Sequence, residues 1–368
     1  MPYPFIEVPE NDPELRGRIH GSSLAREIAR NVGICYRRFD RNGLSCGAAR
    51  LQASAWMHEV LTQDWLLAEI GAIAKFAEMD VLDVALLNLR FEIGFPLMAK
   101  RATRGAPQST ETDGCTSFGL LAETCADGHV KLGQTLDGIA AIAENLVVIK
   151  SARPGGLTVL GLHEAGSVAP SVGLNSAGIG LAYNSLISPG CENPPFGLPF
   201  RLRVLAILEA KTFAEALGAA LTRPRPTATH LLVGHRDGEL VGLELTQENA
   251  AYIYPEGGVL THANHFERMP GTVSLFERLL PDSIFRGNRM RRLLTSRTGS
   301  IDDRFVEAVL QDHFSFPFSI CHHGDERLPS DRRAATLAGI VLDLTSFSLA
   351  ASNGPPCRQQ FERFSLQQ

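Results

Sequence analysis

The sequence predicts an α+β fold in which helices cover stacked sheets, and three observations carry that prediction. Across residues 14 to about 90, apolar side chains recur at three and four residues, as in Leu51, Trp56, Val60 and Leu61 and again in Leu66, Ile70, Ile73 and Phe76, with little Gly or Pro between them. Beyond Cys115 the texture changes to short apolar runs, each bounded by Gly, Pro or Asn. Helical stretches separate and flank two groups of these runs, the order expected of helices layered on sheets.

Taken in chain order, residues 14–90 form an α-rich layer. The polar stretch 100–114, with Gly and Pro inside it, reads as a loop. Strands are expected at 133–137, 146–149, 158–160 and 171–174, and a helix at 200–221, ended by Arg223-Pro224-Arg225-Pro226. Strands resume at 229–233, 240–245, 251–254 and 258–261. Helices follow at 284–296 and 302–311, and a last strand at 335–344 closes the pattern. No internal repeat or low-complexity linker forces a domain boundary.

Composition narrows the function classes. The 368 residues are 44% hydrophobic and 20% charged, with a net charge of -5, so neither a nucleic acid nor an anionic membrane is called for as partner. The start of the chain lacks both the basic residues and the apolar segment of a secretory signal, and no stretch of about 18 apolar residues suggests a membrane span. Seven cysteines, an odd number without C-x-x-C spacing, indicate neither a disulfide framework nor a zinc ribbon, and a reducing cytoplasm is the expected location.

One cysteine stands apart by its neighbours, Asp113-Gly114-Cys115-Thr116. A cysteine attacks only as thiolate, so a base must be at hand. If the chain is cut before Cys115, the new α-amino group, with an ordinary pKa of about 7.7–8.0, becomes that base. The cut itself needs attack of the Cys115 sulfur on the Gly114 carbonyl, giving a thioester that water resolves. A Gly-Cys pair alone is weak evidence, since Gly190-Cys191 is another and a buried cysteine ordinarily fills space.

The residues around Cys115 resemble the isopenicillin N acyltransferase family of N-terminal-nucleophile hydrolases, the acyl-coenzyme A:6-aminopenicillanate acyltransferase group. Asp113-Gly114-Cys115-Thr116 is similar to the family's self-cleavage site, and Gly133-Gln134-Thr135-Leu136-Asp137 to its Gly-Gln-Asn-Trp-Asp segment. Gly173-Leu174-Asn175-Ser176-Ala177-Gly178 resembles a family strand and turn, and Thr261-His262-Ala263-Asn264-His265-Phe266 its Ala-Asn-His segment. Segments 87–92, 281–290 and 316–321 extend the likeness to about residues 80–345.

The resemblance implies an αββα sandwich of the N-terminal-nucleophile type with an α-rich N-terminal segment. Residues 1–114 would form one chain and 115–368 the other after self-cleavage, both packed as one domain. It implies Cys115 as nucleophile, Asp137 as the carboxylate assisting the cut and Asn264 as oxyanion donor. Asn175, Leu136 and Arg333 are expected at the substrate pocket. Leu136 replaces the family's Trp, and Arg332-Arg333-Ala334-Ala335-Thr336-Leu337 keeps an arginine but loses a serine, which shifts the expected substrate.

The expected activity is hydrolysis of a small N-acyl amide through an acyl-Cys115 intermediate. Acyl transfer from a thioester or amide donor to an amine, and an unprocessed ligand-binding relative, are the alternatives. No cofactor or metal is expected, the partner being the small amide; a homo-oligomer of processed heterodimers is compatible with the sequence. Read singly, Asp137 is a turn carboxylate and Asn264 a loop side chain bonding its own backbone. In family order with Cys115, both read as functional. His262, His265, His322 and His323 read as structural histidines, Cys125, Cys191 and Cys321 as buried fillers, and Arg286, Arg289, Arg291 and Arg292 mainly as a solvated helix face.

Overall fold

The computed structural model describes residues 3–105 and 114–367, so Asp113 and the stretch 106–113 lie outside it. The chain opens with strand β1 (Phe5–Val8) and six helices: α1 (Pro13–Ser23), α2 (Ala25–Arg41), α3 (Cys46–Glu59), α4 (Asp64–Phe76), α5 (Val81–Asn88) and α6 (Arg90–Thr103). Asp12, Ser45 and Asp80 cap α1, α3 and α5 by accepting main-chain N–H bonds. Then come β2 (Cys115–Leu120), β3 (Lys131–Ile139), β4 (Leu146–Arg153), β5 (Leu157–Glu164), β6 (Val172–Asn175) and β7 (Ile179–Leu186). Helices α7 (Phe200–Leu208) and α8 (Phe213–Leu221) precede β8 (Ala228–His235), β9 (Glu239–Leu245), β10 (Ala250–Ile253) and β11 (Val259–His262). The chain ends with α9 (Phe276–Leu279), α10 (Ser283–Thr295), α11 (Asp303–Leu310), β12 (Ala334–Asp343), β13 (Ser348–Ser352) and β14 (Phe361–Ser365).

These strands make an eight-stranded sheet, β1-β4-β5-β6-β7-β8-β9-β10, and a six-stranded sheet, β11-β2-β3-β12-β13-β14. Because side chains alternate along a strand, each sheet has two apolar faces to cover. Leu132 and Leu136 of the smaller sheet meet Leu160, Leu174 and Leu232 of the larger one, closing the space between the sheets. The other face of the larger sheet is covered by helices: Val147 and Ile149 pack with Ile28, Val32 and Ile70, while Val159, Tyr183 and Val233 pack with Phe200 and Val204. On the far side, Leu120 and Val341 of the smaller sheet pack with Met290, Leu294 and Val306 of α10 and α11. The layers therefore run helix, sheet, sheet, helix, the expected αββα sandwich, with each fully buried aliphatic side chain contributing about 1.5–3 kcal/mol.

Four details depart from the sequence reading. The helix at 200–221 is two helices, because Asn175 Nδ2 takes the carbonyls of Leu208 and Ala210, both at 2.9 Å, and Thr212 with Glu215 starts a new helix through a capping box. The strand at 334–343 is not the last, since β13 and β14 follow it. Strand β1 was too short, between Pro4 and Pro9, to show a period of two, yet it pairs in parallel with β4 and buries Ile6 and Val8. Helix α6 continues to Thr103, past the expected start of the loop. Among the described residues no helix is long and apolar enough to cross a membrane.

Candidate active site

Strand β2 lies between β3 and β11 in the smaller sheet, and its register dictates who meets Cys115. Cys115 pairs with Leu136 on one side, and Ser117 with His262 on the other. Extending those registers toward the start of β2 sets Asp137 opposite Gly114 and Asn264 opposite Cys115. The hydrogen bonds follow: the Asp137 N–H donates to the Gly114 carbonyl at 2.9 Å, and the Cys115 N–H donates to Asn264 Oδ1 at 2.9 Å. Both sides of the Gly114-Cys115 peptide are thus gripped by residues distant in sequence.

Alternation along the strands sorts the side chains between two faces. Cys115 and Leu136 share the apolar cluster between the sheets, and Ser117 Oγ reaches Asn184 Oδ1 of the larger sheet at 2.6 Å. Thr116 and Asp137 face the helical side. There Thr336, opposite Asp137 on β12, donates from Oγ1 to Asp137 Oδ1 at 2.6 Å, and receives the His322 N–H at 2.8 Å.

The main correction concerns Arg286. Its place on helix α10 suggested a solvated face, but it is fully buried, as is Asn264. Asp282, one turn earlier, holds Arg286 Nε at 2.6 Å. Arg286 Nη1 donates to the Cys115 carbonyl at 2.8 Å and to Thr116 Oγ1 at 2.5 Å, and Nη2 donates to Asn264 Oδ1 at 2.9 Å. The i,i+4 spacing of Asp282 and Arg286, inside a segment already similar to the family, is the sequence signal that could have found this pair.

These partners also fix which way Asn264 faces. A guanidinium and a peptide N–H can only donate, so the atom receiving both must be the amide oxygen. Asn264 Nδ2 then donates to the Ser185 carbonyl at 3.0 Å, and the Ser283 hydroxyl accepts the Asn264 main-chain N–H at 2.8 Å. The expected oxyanion donor thus turns its oxygen, not its amide hydrogens, toward Cys115. Gly114 matters here for space: a Cβ would lie 2.8 Å from Leu280 Cδ2 and 3.3 Å from both Arg286 Nη2 and Asn264 Oδ1.

Of the three expected pocket residues, Leu136 alone shares a cluster with Cys115. Asn175 is a turn residue instead: besides its two bonds to α7, its Oδ1 accepts the N–H groups of Ala177 and Ile179, both at 3.0 Å. Nothing polar is left for a ligand. Arg333 is half-buried at the start of β12, where its carbonyl accepts the Ala140 N–H and its Cβ lies against Gly324.

An apolar cleft opens beside this cluster. Ile139 and Ile142, which belong to the cluster of Cys115, line it with Phe39, Phe91 and Phe95, and with Arg38 and Arg90 among them. Arg90 and Arg201 both pair with the buried Glu164; burial pushes that carboxyl up, but the two guanidinium groups hold it at about 2. Nearby, Glu92 accepts the Phe200 N–H at 2.7 Å, and burial pushes its carboxyl up to about 7.

The chain is similar to several known proteins. Residues 124–346, more than half of the chain and starting just after Cys115, match the family described as acyl-coenzyme A:6-aminopenicillanic acid acyl-transferase. The acyl-coenzyme A:6-aminopenicillanic-acid-acyltransferase 40 kDa form of Emericella nidulans is 29% identical over 337 residues, 91% of this chain and 88% of that protein. Two solved structures are similar at 14% identity and a TM-score of 0.47: the N-acylethanolamine-hydrolyzing acid amidase ortholog of Caenorhabditis elegans, covering 63% of this chain and 93% of its own, and penicillin V acylase from Agrobacterium tumefaciens, covering 69% and 87%. The chain belongs to the acyl-coenzyme A:6-aminopenicillanic acid acyl-transferase family.

Proposed function

We propose that this protein is a self-processing cysteine amidohydrolase, which cuts its own Gly114-Cys115 bond and then cleaves a small N-acyl amide through an acyl-Cys115 intermediate. The observation that carries the reading is the grip on that one peptide bond, with the Asp137 N–H on the Gly114 carbonyl and Asn264 Oδ1 on the Cys115 N–H. In the cut, Cys115 Sγ adds to the Gly114 carbonyl carbon, and the Asp137 N–H supports the charge that develops on its oxygen. The C–N bond then breaks as the proton given up by the thiol passes to the Cys115 nitrogen, leaving a Gly114 thioester on sulfur and a free Cys115 amine. Water hydrolyses the thioester to a Gly114 carboxylate and the Cys115 thiol.

In the processed enzyme the amine takes the thiol proton as sulfur attacks the substrate carbonyl, and returns it to the leaving amine. Asn264 Oδ1, held by Arg286, orients that amine, while backbone N–H groups serve the substrate oxyanion. Asp137, braced by Thr336, assists the cut and fixes the new N-terminus. Leu136, smaller than the family's Trp and in the apolar cluster of Cys115, fits an apolar acyl group. Acyl transfer is the second reading, favoured by the name of the relative in Emericella nidulans. Both run through the same intermediate. Incubation of the processed enzyme with N-acyl amides, without any added acceptor, tests the choice: free acid and a transient mass gain of one acyl group on the 115–368 fragment are expected. Acid release by Cys115→Ala, or turnover only when an acceptor amine is added, contradicts it.

A further inference from the structure

We propose that His313, Cys321, His323 and Cys357 bind a single thiophilic divalent transition metal ion, with zinc the best match. They come from three places: the turn after α11, the segment leading to β12, and the connection between β13 and β14. Their ligating atoms all lie within 4.8 Å of one another. His323 Nε2 is the hub, at 3.1 Å from His313 Nε2, 3.4 Å from Cys321 Sγ and 3.3 Å from Cys357 Sγ.

Hydrogen bonding within the group does not account for this convergence. A neutral imidazole Nε2 offers one hydrogen or one lone pair, yet three polar atoms crowd it. An ion among the four satisfies every lone pair at once. The size also fits: Zn–S bonds of about 2.3 Å and Zn–N bonds of about 2.0–2.1 Å in a tetrahedron set N···N near 3.3 Å and S···N near 3.5 Å. The three distances at His323 Nε2 need to widen by only a few tenths of an ångström to admit an ion. Two thiolates and two imidazoles select zinc over calcium or magnesium, and four protein ligands leave no open position, the mark of a structural site.

The surroundings are those of a built site. Cys321 and His323 are buried, Cys357 is half-buried and His313 is exposed, which gives an ion a way in. The loop is held by the Cys321 N–H to the Asp312 carbonyl at 3.0 Å and the His323 N–H to the Pro317 carbonyl at 2.9 Å. Of the other buried thiols, Cys125 lies beside the Thr124 hydroxyl, and Cys191 beside the Ser188 hydroxyl and the Gln247 amide. Between the two ligands Cys321 and His323 sits His322, whose main chain bonds Thr336, the partner of Asp137. His322 and His323 read from the sequence as structural histidines, yet Cys321 stands two residues before His323, and folding brings in His313 and Cys357. Loading releases the proton of each thiol, so binding weakens in acid.

The test uses the full chain, without a polyhistidine tag, purified under reducing conditions and dialysed against metal-free buffer. Elemental analysis is expected to find about one zinc per chain, and cobalt added to the metal-free chain is expected to give thiolate-to-cobalt charge-transfer absorption that saturates at about one equivalent. His313→Ala and Cys357→Ser, both away from the buried core, are expected to keep the circular dichroism of the wild type while retaining zinc about tenfold less well or worse. Cys46→Ser, at an exposed cysteine outside the group, retains it. A reduced wild-type chain that takes up neither metal, zinc retained undiminished in a Cys321→Ser/Cys357→Ser double variant, or a Cys321–Cys357 disulfide in the freshly isolated chain overturns the proposal.

Discussion

Arg286 Nη2 donates to Asn264 Oδ1 at 2.9 Å, and the Cys115 N–H donates to the same oxygen at 2.9 Å, all three groups being buried. A side chain 22 residues away from Asn264 thereby decides which end of the amide meets the nucleophile. Asn264→Asp keeps an oxygen there but sets a second oxygen against the Ser185 carbonyl, whereas Asn264→Leu removes the acceptor. Self-cleavage is expected to fall on the order of 100-fold in Asn264→Leu and by less in Asn264→Asp. Time courses on denaturing gels measure both; equal rates in the two variants would count against the oxygen as the working atom.

Removing Arg286 leaves Asp282 as an uncompensated buried charge and strips the Cys115 carbonyl of a donor. Arg286→Ala is expected to lose about 3–5 kcal/mol of stability, read by denaturant unfolding, and to process slowly even where folded. Arg286→Lys retains charge but not the fork that reaches Asp282, Cys115, Thr116 and Asn264 together, and is expected to recover stability in part and processing hardly at all.

Asn175→Ala separates the structural role of this residue from the pocket role its motif suggested. Its four main-chain partners would be left unsatisfied in the interior, and stability is expected to drop by about 3 kcal/mol or more. KM and kcat of the folded fraction are expected to match the wild type. A raised KM with unchanged melting temperature would restore Asn175 to the pocket.

Glu92 supplies a pH signature. Burial raises its folded pKa to about 7, above the ordinary 4.5, so the native state holds a proton that the unfolded state releases between those values. Stability contributed by this proton is full below pH 4.5 and declines as pH rises to 7, by on the order of 3 kcal/mol. Glu92→Gln, which still accepts the Phe200 N–H, is expected to lack that decline and to be the more stable protein at pH 8. Parallel stability curves for the two chains across pH 5–8 would contradict it.

Much of this was legible in the sequence, and the reasons are specific. Amphipathic helices and short bounded strands declared their periods, so the layers were predictable. Cys115, Asp137 and Asn264 were singled out because family-like segments hold them in order, and the register of β3 and β11 against β2 brings their segments together. Arg286 was hidden because a charged residue on a helix looks solvated unless the strand it covers is known. Asn175 misled because a motif asparagine bonding its own turn and one offered to a ligand read alike. His313, Cys321, His323 and Cys357 meet only through tertiary folding, so no spacing rule joins them.

The central claim is that Cys115 becomes an N-terminus by its own attack, and intact-mass analysis of the purified chain tests it most directly. Two fragments, residues 1–114 and 115–368, with Cys115 as the first residue of the second, are the predicted result, and Cys115→Ala is predicted to remain one chain. A wild-type chain still intact after prolonged incubation, or a Cys115→Ala chain cut at the same bond, would contradict the account.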